Sequence, residues 1–159
     1  MSNRIFPEQF DSHYRGHPLS TWIFGGAVLM ELAMGINSLV NPRTVATMAD
    51  GIPLDQYVAG AADAVIAVFA IAGLFRVTLA ILGLVALIRY RTMIPLMFIV
   101  LLFVQLGSKA LLALHPVTRS GVATAHLGTA FVFALIGMLC VGFILSLIDR
   151  RTQAERIGQ

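Results

Sequence analysis

Residues 64–91, AVIAVFAIAGLFRVTLAILGLVALIRYR, make a long apolar run with one arginine, Arg76, near its middle. How that arginine is accommodated fixes how often the chain crosses a bilayer. If Arg76 marks a turn, the part after it supplies only about a dozen apolar residues, whereas a helix needs about 20 to span the hydrocarbon core. If one helix runs over residues 65–88, the charge sits at depth. That costs roughly 3 kcal/mol on insertion scales, so the guanidinium must face other helices or reach toward the interface. Residues 55–64 then form an interfacial or outer helical turn.

The basic residues favour the uninterrupted helix. With spans at residues 20–40, 65–88, 93–114 and 121–148, one side of the membrane collects Arg4, Arg15, Arg89, Arg91, Arg150, Arg151 and Arg156. The other side has only Arg43 and Arg119. Lys and Arg accumulate on the cytoplasmic side, so both termini are expected there. A fifth span would put the basic C-terminus opposite the N-terminus. The expected fold is therefore all-α, an integral membrane bundle of four transmembrane helices. Residues 1–19 form a cytoplasmic segment, residues 20–148 the membrane domain, and residues 149–159 a basic cytoplasmic tail.

Composition agrees. The chain is 58% hydrophobic and 12% charged, with a mean hydropathy of +0.85, whereas soluble domains carry about a quarter charged residues. The formal charge of +3 comes largely from arginines flanking the spans, so it signals orientation and no nucleic acid partner. The single cysteine, Cys140, excludes an internal disulfide and reads as a small packing residue. No cleavable signal peptide is expected, because the apolar run begins only near Ser20 after a polar segment. His13 and His17 in that segment have too few companions for a metal site and read as solvated. Pro18, Ser20 and Thr21 resemble a helix start, with Trp22 at headgroup level.

The polar residues within the spans carry the functional signal. Glu31 lies about midway along the first span, with Asn37 a turn and a half later; an intramembrane carboxylate is a functional-site hypothesis by default. Its structural alternative is an ion pair with Arg76, which lies at similar depth. Gly25, Gly26 and Gly35 read as helix-packing positions. Asn41-Pro42 ends the first helix, Gly51-Ile52-Pro53 breaks the outer loop, and Asp55 is a candidate N-cap for the second helix. Asp63 falls at the outer end of the second span. Gln105 and Lys109 are four apart and share a face of the third, which His115-Pro116 closes. Gly121, Ala125 and Thr129 give the last span a small-residue face, with His126 beside it. The polar groups thus sort into a central layer of Glu31, Arg76 and Gln105 and an outer layer of Asn37, Asp63, Lys109 and His126. A single intramembrane histidine does not suggest haem.

From about residue 39 to residue 87, the run SLVNP…DGIPLDQYVAGAADAVIAVFAIAGLFRVTLAILGLVAL resembles the first half of DoxX-like membrane proteins: a first helix, an Asn-Pro break, a Gly-Ile-Pro loop, then an apolar segment with an acid and a Leu-Phe-Arg. The resemblance implies a small four-helix protein of the bacterial inner membrane, in a group attached in places to quinone-linked or thiol redox systems. It puts Asp63 where the family usually has a glutamate. It also implies a helix turn near Arg76, against the argument from charge.

Three function classes follow. An accessory subunit would complete a larger inner-membrane assembly, its partners being lipid, other subunits or a second copy. A ligand-binding or redox subunit would hold a quinone or lipid in the polar interior, with Arg76, Lys109 or His126 donating to oxygens and Glu31 a proton partner. A small proton-coupled transporter would use Glu31 and Arg76 as a gate. The preferred expectation is a non-catalytic accessory or ligand-binding subunit; no nucleophile–base set or metal cluster in the sequence suggests catalysis by the isolated chain.

Overall fold

The computed structural model describes Ile5, Ser12 and residues 16–116 and 125–148, with side chains of residues 125–128 outside that description. It is helical, with no strand among the described residues. The long helices are α1 (Pro18–Val40), α2 (Ala59–Ile88), α3 (Ile94–Leu114) and α4 (Ala125–Leu147). All four are long and apolar enough to cross a membrane, the pattern of a multi-pass membrane protein.

α1 begins at Pro18, the first of the residues that marked a helix start in the sequence. The cap is His17, whose Nδ1 accepts from the Leu19 N–H at 3.2 Å, and Pro18 occupies the first turn, where a missing N–H costs nothing. His17 is thus a capping residue. Ser20 lies inside the helix, fully buried, and its hydroxyl donates to the Gly142 carbonyl of α4 at 2.8 Å. α1 stops at Asn41, whose N–H bonds the Asn37 carbonyl, and Pro42 follows.

The connection to α2 is compact. A turn at Pro42–Thr44 runs into a π turn at Val45–Ala49, then a 3-10 turn at Leu54–Gln56. Between them Gly51 has φ of 69°, the left-handed region that L side chains avoid. Gly51→Ala should therefore lower stability by about 1 kcal/mol, read as an earlier thermal transition in detergent. Ala46, Leu54 and Ala62 form a small buried cluster that ties this connection to the start of α2. Asp55 does not cap α2: it belongs to the 3-10 turn, and the capping position is Val58, which makes no side-chain cap bond.

α2 starts at Ala59 and continues unbroken through Arg76 to Ile88, 30 residues in all. The turn near Arg76 implied by the DoxX-like resemblance is absent, and the separate outer turn over residues 55–64 is in its second half part of α2. Thirty residues rise about 45 Å, against a hydrocarbon core of about 30 Å. The helix must tilt or project, and Asp63, in its second turn, is exposed.

α1 packs most extensively on α2 and next on α4; α3 lies mainly against α4 and touches α2 more lightly. The shared core holds Phe24, Val28, Phe98, Leu101, Leu135 and Leu139. The Phe24 and Phe98 rings meet edge to face with centroids 5.1 Å apart, a favoured aromatic geometry. Phe98 seats over Gly142, where a Cβ would lie 2.5 Å from its ring. Along the α1–α2 contact the buried or facing positions on α2 are Gly73, Arg76, Ala80 and Gly83, spaced three, four and three apart. On α1 they are Phe24, Val28, Glu31 and Gly35, spaced four, three and four. These are the seam spacings of antiparallel helices in close contact. Elsewhere α2 is bare: only 11% of its most apolar stretch is buried, with Val68, Ile71, Phe75, Leu82 and Ile88 exposed.

Candidate functional site

Glu31 sits on the buried face of α1, 3% exposed, and two partners from other helices answer its carboxylate. The Gln105 side-chain amide of α3 donates to Oε1. The Arg76 guanidinium of α2 stands with Nη1 3.6 Å from Oε2. Gln105 is itself buried, at 2% exposed. A carboxylate taken from water without partners is costly, and hydrogen bonds with a countercharge offset that cost.

The backbone brings this about through two glycines. Gly35 lies one turn beyond Glu31 on the same face of α1, and Gly73 one turn before Arg76 on the same face of α2. A Cβ on Gly73 would stand 2.6 Å from the Leu39 nitrogen and 2.9 Å from the Gly35 carbonyl oxygen; a Cβ on Gly35 would stand 3.0 Å from the Arg76 Cβ. Bare backbone meets bare backbone here, as at close crossings of membrane helices. Arg76 is thereby held against α1. Gly25 and Gly26, read from the sequence as equivalent to Gly35, are not at such a crossing: their nearest neighbours would be 3.5 and 4.0 Å away.

Arg76 is committed only on one side. Besides Glu31, Nη1 approaches the Met34 sulfur at 3.8 Å, and its side chain is 27% exposed. A guanidinium carries five N–H donors; only Nη1 has partners among the described residues, and the residue borders a neighbouring space. That space is a cavity of about 460 Å³, lined by Arg76, Lys109, Asn37, Ser38, Asp50 and Thr129 together with the apolar Met30, Met34, Phe131 and Val132. It lies at the end of the bundle where α1 runs into the 41–58 connection. Lys109 is half-buried, with its Nζ 5.8 Å from the centroid of the Phe133 ring. A lysine over an aromatic face gains a modest cation–π attraction.

The sequence-derived site residues therefore divide. Glu31, Arg76 and Gln105 meet directly. Asn37 and Lys109 line the adjoining cavity, and Asn37 Oδ1 also accepts from the Asn41 amide at 3.3 Å. Asp63 stands apart, exposed in the second turn of α2, and no ion pair with Lys109 is present among the described residues. The His126 side chain lies outside the described residues. Sequence reading missed Met34, Ser38 and Asp50, and gave Thr129 a packing role only. Met34 and Ser38 carry a usable signal, lying three and seven residues beyond Glu31 and so on neighbouring faces. Asp50 enters through the folded-back connection, which no periodicity reveals.

In comparisons with protein-family models, curated proteins and solved structures, none matches the chain. The functional reading rests on the site itself.

Proposed function

We propose that the chain is a small ligand-binding or accessory subunit of an inner-membrane assembly, whose bundle holds an amphiphile presenting oxygen acceptors, a quinone or a lipid, to Arg76 and Lys109. The observation that carries this reading is a half-buried arginine, anchored through Nη1 by Glu31, that lines a cavity of about 460 Å³ together with Lys109. In a low-dielectric site, donors aimed at a carbonyl or anionic oxygen are worth more than in water. The apolar lining would receive the rest of the molecule. The orientation that fits the arginines has both termini cytoplasmic, which puts this cavity toward the outer leaflet. The DoxX-like resemblance favours the quinone- or thiol-linked version of the same reading. The broad bare surface of α2 leaves room for partner subunits or lipid.

The test is mass spectrometry of small molecules extracted from protein purified in mild detergent, comparing the native chain with Lys109→Gln. Lys109 makes no ion pair among the described residues, so this change should leave the thermal transition within about 0.5 kcal/mol of native while a quinone or lipid adduct falls severalfold. An adduct retained at full stoichiometry in Lys109→Gln, or none in the native protein, would remove the proposal.

A further inference from the structure

We propose a second site: a groove between the start of α1 and the end of α2 binds one anionic phospholipid. The groove encloses about 890 Å³, within the range of about 300–1,000 Å³ typical of specific small-molecule sites. It lies at the opposite end of the bundle from the Arg76 cavity, where the chain turns from α2 into α3.

Its two halves differ chemically. Thr21, Trp22 and Arg91, with Ser12, Gly16 and Pro18 of the segment leading into α1, line the half at the helix ends, while Gly25, Gly26, Leu29, Leu84 and Leu87 line the half that runs one to two turns deeper. An occupant matching both must be polar at one end and oily along its length. The adjacent glycines, which hold no helix crossing, find their role here. With a Cβ on Gly26 meeting nothing nearer than the Met138 sulfur at 4.0 Å, missing side chains open surface to a ligand instead of admitting a helix.

Arg91 selects the head. Its Nε donates to the Leu87 carbonyl at 3.1 Å, which holds the side chain back along the end of α2. Its terminal guanidinium nitrogens have no partner among the described residues. A guanidinium fork pairs with a phosphate diester geometrically as well as by charge. Trp22, the only tryptophan in the chain, is 81% exposed at the same level, where an indole spans the boundary between headgroups and acyl chains. A purely apolar occupant would gain nothing from this exposed guanidinium. The neighbouring Arg89 instead lies 5.8 Å from the Tyr90 ring and does not line the groove, so it supplies an internal control.

The full chain in mild detergent would be titrated with phosphatidylglycerol and, separately, phosphatidylcholine, counting bound lipid by native mass spectrometry. The native protein should retain one phosphatidylglycerol in preference to phosphatidylcholine. Arg91→Gln should lower that retention about fivefold, the effect of one basic residue at a lipid surface. Gly26→Leu should lower retention of both lipids by filling the groove, with no loss of thermal stability because the position is open. Arg89→Gln should change neither. Equal retention of the two lipids, or equal losses in Arg89→Gln and Arg91→Gln, would reduce the effect to general charge attraction and overturn the site. A Gly26→Leu variant that turns a dimer into a monomer with its lipid count unchanged would assign the groove to a second copy and overturn it equally.

Discussion

Arg76→Leu should destabilise the folded bundle by about 3 kcal/mol, measured as unfolding from mixed micelles, and Glu31→Leu added to it should return most of that loss. The reasoning turns on what is left behind. With Arg76 gone, the Glu31 carboxylate keeps only the Gln105 amide in a pocket where it is 3% exposed. That leaves a buried carboxylate without a countercharge, the costly half of a broken ion pair. The cost of inserting an arginine into lipid does not enter, because unfolding here is measured between states whose helices are already in the membrane. Neutral interhelical hydrogen bonds in membranes average only about 0.6 kcal/mol, so a double-mutant cycle separates the two cases. A coupling energy between positions 31 and 76 well above 1 kcal/mol identifies the charge pair as the organising contact. A coupling at the level of an ordinary hydrogen bond would mean that packing alone holds α2 against α1.

Gly73→Ala has the next largest expected effect, a loss of about 1–3 kcal/mol, the usual cost of overpacking a tight site. The added methyl would meet the Leu39 nitrogen at 2.6 Å, the Gly35 oxygen at 2.9 Å and the Ser38 carbonyl carbon at 2.9 Å. All three are backbone, so no side chain can rotate away and the helices must part. Gly107→Ala and Gly137→Ala provide the comparison. Neither would meet any atom within 4 Å, and removing a flexible residue from a helix interior should leave stability unchanged or raise it by up to about 1 kcal/mol. Thermal unfolding of the three variants in one detergent decides the matter. If all three behave alike, the α1–α2 contact is not the tight crossing described.

How much of this could be read from residues alone depended on the kind of signal. Four helices and an unbroken α2 follow from length, apolarity and the one-sided arginines, because bilayer thickness and the positive-inside bias constrain a chain without reference to packing. The meeting of Glu31, Arg76 and Gln105 was legible for a related reason: a polar group at mid-depth has few places to go, and depth can be counted from the span ends. The outer layer was less legible, since equal depth does not imply the same side. Asp63 is exposed on α2 and makes no ion pair with Lys109 among the described residues. Boundaries failed where chemistry is shared between roles. Asp55 is a good cap residue that happens to lie in a 3-10 turn, and the cap of α1 is a histidine. Gly73 and Gly83 passed unnoticed inside an apolar run, although their spacing around Arg76 marks the seam; on α1, Gly35 was singled out together with Gly25 and Gly26, which hold no crossing.

The bareness of α2 has a thermodynamic corollary. Outside its seam with α1, folding hides little of that helix: Val68, Ile71 and Phe75 stay exposed, to be covered by lipid in a membrane and not by the protein. The driving force that dominates in soluble domains is therefore largely spent at insertion, before any helix meets another. What remains to choose one arrangement is short-range: a pair of glycines in register, a ring seated on a glycine, and a carboxylate with two suitors.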